Sequence, residues 1–179
     1  DPYTEKFTEY DNPLWPLGER SMMWGIDYAP DGSVWFTDER FDSIWKFSTI
    51  DEKYERIAYP SEGNSLPQKL QIDGSQIIIN DFTGNKLTLL DANPSSGEIN
   101  YLSIPSPVDN SGTADFAVDA NDNIWFTNWL FQQGGVLVKF NQNGCLDSVV
   151  RNNEKFLPLL DFIEVYALPS ELLTPNGAV

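Results

Sequence analysis

What most constrains this chain is that part of it is written twice. The stretch Trp24 to Phe47, WGIDYAPDGSVWFTDERFDSIWKF, returns in degenerate form at Asp115 to Phe140, where AVDANDNIWFTNW matches DYAPDGSVWFTDE and Trp125 falls 90 residues after Trp35. In the first copy three short runs with strand character, Gly25 to Ala29, Ser33 to Thr37 and Ser43 to Phe47, are separated by a Pro-Asp-Gly turn and a charged loop, Asp38 to Asp42. That pattern is a three-stranded meander. A further run closing on proline follows each meander, at Tyr54 to Pro60, Glu98 to Pro105 and Phe162 to Pro169. These are fourth strands.

Ninety residues is two periods of about 45, the length of a four-stranded propeller blade. The expected fold is therefore all-β: a β-propeller with three four-stranded blades, at about 22–60, 66–105 and 112–169, in a single domain spanning 1–179. The middle copy, Leu70 to Asp81, carries Ile77-Ile78-Ile79 where its neighbours carry Val34-Trp35-Phe36 and Ile124-Trp125-Phe126. A continuous apolar run suits a strand buried on both faces, as an inner blade strand is between two neighbouring sheets. Trp35, Trp45 and Trp125 fall where alternation points them into blade packing. The third block carries an insertion at Asn143 to Leu160, whose apolar part, Phe156 to Leu160, would cap the rim or touch a partner.

Residues Glu5 to Pro13 read as a lone strand, the outer strand of a closing blade, and Thr174 to Val179 resemble the opening of a fourth block. Three blades do not close a ring that contains about four to eight. Two arrangements are open: the chain is part of a six- or seven-bladed propeller, as the lone strand and the opening block favour, or copies associate to complete the circle.

Charge narrows the partners. Twenty-seven acidic against 11 basic residues give a formal charge of -16 with no histidine, which disfavours nucleic-acid phosphates and anionic membrane surfaces. A small molecule, a carbohydrate or a protein suits the surface better, and the charge also suits an extracytoplasmic or secreted protein. The missing initiator Met suggests that something upstream was removed, either by export processing or by the way the sequence was cut. Cys145 is the single cysteine, so no disulfide forms within the chain and its expected role is packing. No apolar run approaches the roughly 18 residues of a membrane span.

The string x-Ile-x-x-x-x-Asp-Gly-x-Val-Trp-Phe-Thr-Asp, at Ile26 to Asp38 and more loosely at Phe116 to Asn128, is followed by Ile-x-Lys-Phe and a strand ending in Tyr-x-x-Pro. It resembles the streptogramin lyase (virginiamycin B lyase) type of β-propeller repeat, within a wider group of NHL-repeat and gluconolactonase-like propellers. For the lyase the resemblance implies a metal-assisted elimination that opens a cyclic ester, with a histidine base and acidic residues holding magnesium. This chain has no histidine, so no catalytic position is carried over. The reaction either needs blades outside this sequence or does not belong to the protein.

In a blade the inner strand begins on the face where the second and third strands are joined, so those openings and loops share one rim, the default ligand site. The expected ligand-binding residues there are Trp24, Glu39, Arg40, Lys69, Asp115 and Trp129. Asp38-Glu39-Arg40 would orient a polar ligand, or form a solvated loop. Trp24 and Trp129 would stack on a sugar or another planar ligand, or pack beneath their loops. Asp38, Asp81 and Asn128 occupy equivalent repeat positions, and three convergent oxygen donors would accept Ca²⁺ or Mg²⁺; the alternative is that each caps its own strand end. Without histidine no Ser-His-Asp or Cys-His arrangement exists. The expectation is a non-catalytic binding module, the alternative being part of a divalent-metal-dependent lyase- or lactonase-like enzyme.

Overall fold

The computed structural model describes residues 3–61, 63–91, 99–130, 134–145 and 159–167. Among these, twelve strands form three four-stranded antiparallel sheets. The first comprises β1 (Ile26–Tyr28), β2 (Ser33–Asp38), β3 (Ser43–Ser48) and β4 (Lys53–Ala58), each paired with the next in sequence. The second comprises β5 (Pro67–Asp73), β6 (Gln76–Asp81), β7 (Lys86–Asp91) and β8 (Tyr101–Pro105). The third comprises β9 (Ser111–Val118), β10 (Asn123–Leu130), β11 (Gly134–Asn141) and β12 (Ile163–Ala167). These are the meanders expected from the repeat. Tight turns make them, as where Gly32 takes a φ of 86° to close the β1–β2 hairpin, a backbone region open to glycine at no steric cost.

The sheets pack in series, with β5 against β1 and β2, and β9 against β6 and β7. Two buried clusters fill the gaps. Between the first and second sheets lie Trp35, Ile44 and Ile57 with Leu70, Ile77 and Ile79; between the second and third lie Ile78, Leu87 and Ile104 with Phe116, Phe126 and Val138. The consecutive isoleucines of β6 thus point alternately to two different neighbours, because successive strand side chains face opposite ways. All three are fully buried. Burying each such side chain stabilises by about 1.5–3 kcal/mol, so the run glues three sheets together.

Polar bonds reinforce the packing. The Thr37 hydroxyl donates to the Gln68 carbonyl across the first gap (2.6 Å), and the Asn80 amide donates to the Thr113 carbonyl across the second (2.8 Å). These residues hold the same place in their repeats. The approach is close: a Cβ on Gly25 would overlap the Gln68 carbonyl oxygen and the Leu70 nitrogen.

The stretch 5–13 is not a paired strand. It forms no ladder with any described sheet, and Phe7 is exposed. A strand persists only with a neighbour to bond, and here the segment runs instead toward the outer part of the first sheet. Tyr10 packs on Phe47 (centroids 4.9 Å apart), Trp15 on Trp45 (5.7 Å), and Tyr54 donates to the Tyr10 carbonyl (2.8 Å). Trp35 and Trp45 are core, whereas Trp125 is half-buried. Cys145 is buried in the second cluster, and burial pushes its thiol up from the ordinary value. Most of the insertion expected at 143–160, Pro169 and the stretch 174–179 lie outside the described residues.

Candidate functional site

On the rim where the inner strands begin, the β6–β7 loop of the second sheet leans toward the third. The Phe82 ring lies over Gly112, where an added Cβ would come within 2.8 Å of it, and packs on Trp129 with centroids 5.9 Å apart. Beside it opens a cleft of about 430 Å³ lined by Asn64, Phe82, Thr83, Asn85, Asn110 and Ser111. Asn85 anchors it. Its amide donates to the Val108 carbonyl (2.9 Å), while its Oδ1 accepts from Ser111 Oγ (2.7 Å) and Asn128 Nδ2 (3.0 Å). Asn64 and Thr83 are bonded through each other's backbone carbonyls, at 3.3 Å in both directions. The lining is amide, hydroxyl and aromatic, with no ionisable side chain among the six.

The residues expected at the site fall into separate groups on this rim. Trp24 Nε1 donates to Glu39 Oε2 (2.5 Å), which ties both to the first sheet. Arg40 is held by Glu19 (2.6 Å) and by the Arg20 carbonyl (2.9 Å). Lys69 and Asp115, on the inner strands of the second and third sheets, form an ion pair at 2.8 Å, and the ammonium also donates to the Phe116 carbonyl (2.6 Å). Trp129 alone of the expected set borders the cleft, through its contact with Phe82.

Asp38 and Asp81 end β2 and β6, Asn128 lies two residues before the end of the equivalent β10, and all three are fully buried. Each is bonded within its own surroundings. Asp38 Oδ1 accepts from Ser21 Oγ and from the amides of Arg40 (3.2 Å) and Phe41 (3.3 Å), and its Oδ2 accepts from Trp45 Nε1 (3.1 Å). Asp81 Oδ1 accepts from the amides of Leu66 and Gly84, both at 2.8 Å, and the Asn128 amide donates to Asn85, Ser111 and Thr113. Asp81 Oδ2 and Asn128 Oδ1 have no hydrogen-bond partner among the described residues. Among the described residues no three or more His, Cys, Asp and Glu side chains are grouped to hold a metal.

Asp119 and Tyr59 are among the ionisable groups that are shifted. Asp119, in the β9–β10 turn, accepts from Trp125 Nε1 (2.8 Å) and from Asn123, and those bonds hold its carboxyl below the usual aspartate range. Burial, with Asp81 nearby, pushes the Tyr59 phenol well above the ordinary tyrosine value, and its hydroxyl pairs with Thr88 at 2.6 Å.

Sequence reasoning missed the cleft's Asn64, Phe82, Thr83, Asn85, Asn110 and Ser111. Asn85 and Asn110 offered one signal, since both take positive φ (53°) and asparagine is favoured in such turns. That signal identifies the turns, not their meeting.

No family model and no curated protein matches this chain. Solved structures do. A streptogramin B lyase superposes with a TM-score of 0.59 at 21% identity, covering 82% of this chain and 41% of the lyase. A catalytically inactive virginiamycin B lyase from Staphylococcus aureus, solved with quinupristin, gives 0.60 at 19%, covering 87% and 44%. A putative 6-phosphogluconolactonase from Bacteroides uniformis gives 0.55 at 18%, covering 74% and 41%. The chain thus spans less than half the length of each. The shared architecture is that of β-propellers, and the three sheets are blades.

Proposed function

We propose that this chain is a non-catalytic β-propeller module that binds a small, neutral, polar molecule on its loop rim, in the cleft between the second and third blades. The cleft at Phe82 carries this reading. Its size falls in the range of small-molecule sites, which pair an apolar wall with a few placed polar groups. Here the wall is Phe82, backed by Trp129, and the polar groups are the amides of Asn64 and Asn110 and the hydroxyls of Thr83 and Ser111. Neutral donors and acceptors around an aromatic ring match a carbohydrate, whose hydroxyls need both and whose C–H face stacks on the ring. A net charge of -16 opposes anionic ligands, and it suits a protein placed outside the cytoplasm, as we also propose; fractionation of the source cells tests that placement.

The binding test is titration with cellobiose and with methyl glucoside, followed by amide chemical shifts. Saturable shifts at residues 64, 82–85 and 110–111, abolished in Asn64→Ala/Asn110→Ala, are expected. Shifts confined to the Trp24–Glu39 or Lys69–Asp115 groups would move the site elsewhere on the rim.

A second reading makes the same rim part of a lyase- or lactonase-like enzyme using Ca²⁺ or Mg²⁺. It is favoured by the kinship in architecture with the two lyases and the putative lactonase. Calorimetric titration with MgCl₂ and CaCl₂ distinguishes the two, because the binding-module reading expects no heat that Asp81→Asn removes.

A further inference from the structure

The hollow at Phe82 does not end at Asn64 and Thr83. Beyond that pair opens a second cavity of about 210 Å³, lined by Asn64, Ser65, Thr83, Gly84 and Lys86. The two hollows therefore share a wall, made by the two residues that bond through each other's carbonyls. Asn64 and Ser65 belong to the segment between β4 and β5, Thr83 and Gly84 to the β6–β7 loop, and Lys86 opens β7. The second cavity lies toward the first blade, since Lys86 Nζ donates to the Pro60 carbonyl just past β4 (3.2 Å).

Its chemistry is unlike that of the cleft. It has no aromatic wall, and its ammonium has donors to spare. Lys46, Lys69 and Lys139 each meet a carboxylate, at 3.2, 2.8 and 3.1 Å. Lys86 is only 8% exposed, yet it forms no ion pair among the described residues, and the Pro60 carbonyl accepts from one of its three N–H donors. Asp81 stands opposite it in the β6–β7 ladder, and its Oδ2 likewise has no partner among the described residues. Opposite charges so placed balance each other, and what is left over is hydrogen-bonding capacity. The Ser65 hydroxyl, on the same cavity, also has no partner among the described residues. Buried polar groups are ordinarily bonded, so unused donors gathered beside a cavity mark a place for a molecule that brings acceptors.

We propose that the rim takes two linked sugar units, one against Phe82 in the cleft and the next in the Lys86 cavity, with the glycosidic link crossing the Asn64–Thr83 wall. This rests on the carbohydrate reading of the cleft and extends it from one unit to at least two. A neutral sugar suits the second cavity because its hydroxyl oxygens accept from Lys86 Nζ and Ser65 Oγ while each O–H remains free to donate. An anion suits it less, because Asp81 stands across the ladder from Lys86 and the charge of -16 repels anions at range. The two hollows divide the work. The aromatic one holds a ring by its face, and the polar one makes a disaccharide a better ligand than a single unit.

The test is titration of the 179-residue chain with methyl glucoside and with cellobiose and maltose, whose linkages set the second ring at different angles, followed by amide chemical shifts and calorimetry. Methyl glucoside is expected to move residues 82 and 110–111 and to leave 65 and 86 in place. At least one disaccharide should move 65 and 86 as well and bind about tenfold more tightly, the worth of one or two added hydrogen bonds. Ser65→Ala gives up no bond to a described residue, so it should remove that advantage while leaving the urea midpoint and the affinity for methyl glucoside unchanged. Disaccharides that bind no better than methyl glucoside and leave 65 and 86 unmoved would overturn the second subsite and leave the cleft reading standing. Ser65→Ala weakening all three sugars equally, or shifts at 65 and 86 with none at 82, would overturn it too, since the hollows would not then divide one ligand. Silence at 82 and 110–111 with every sugar would instead strike the cleft reading, and the second subsite with it.

Discussion

At Gly25 the first two blades approach so closely that only a hydrogen fits between β1 and the β5 backbone. Gly25→Ala is therefore expected to cost about 2–3 kcal/mol, the scale of overpacking against a rigid neighbour, read as a lower urea midpoint with unchanged slope. Asn80 has a different task. Its Oδ1 accepts from the Lys69 amide at 2.6 Å while its Nδ2 reaches across to the third blade, so Asn80→Ala strands buried groups on both sides and should cost about 1–3 kcal/mol. Asp119 gives a pH signature. Its folded carboxyl titrates below the ordinary value because Trp125 and Asn123 bond the charged form. The stabilisation is therefore complete above the unfolded aspartate value of 3.8 and is lost as pH falls through the lower folded one. Urea midpoints measured from pH 6 to pH 2 should show the gap between wild type and Asp119→Asn narrowing below about pH 4. A gap that widens in acid would contradict the assignment. Comparing the two cancels the general relief of repulsion that acid brings to so negative a chain.

Among the elements, β6 was the most legible in sequence. Three consecutive isoleucines can hide only in a strand covered on both sides, and that is where they are. The Trp-Phe-Thr runs likewise marked β2 and β10, because a repeated string fixes equivalent strands whatever its propensity. The stretch 5–13, read as the outer strand of a closing blade, has no ladder partner among the described sheets, and those sheets do not include a closing blade. The candidate site was legible only in fragments. Equivalent positions such as Asp38, Asp81 and Asn128 can be aligned from the repeat, but the cleft joins residues near 64, 83 and 110, from three separate loops, and only blade packing brings them together. Equivalent residues also differ in weight according to what covers them. Trp35→Ala should cost about 3–5 kcal/mol, as a fully buried aromatic does, while Trp125→Ala, only partly buried, should cost less. Equal losses in chemical denaturation would mean that the third blade's far face is covered.

For the whole molecule the central claim is that three copies of one sheet stand side by side, the middle one sandwiched between its neighbours, so that their loops share a rim. The cleft follows from that arrangement. It is tested most directly by nuclear Overhauser contacts from the isoleucine methyl groups of β6 in a selectively labelled chain. The account predicts that Ile77 and Ile79 see the first blade, through Trp35 and Ile57, and that Ile78 sees the third, through Phe116 and Phe126. Contacts from all three isoleucines to a single neighbouring sheet would contradict it.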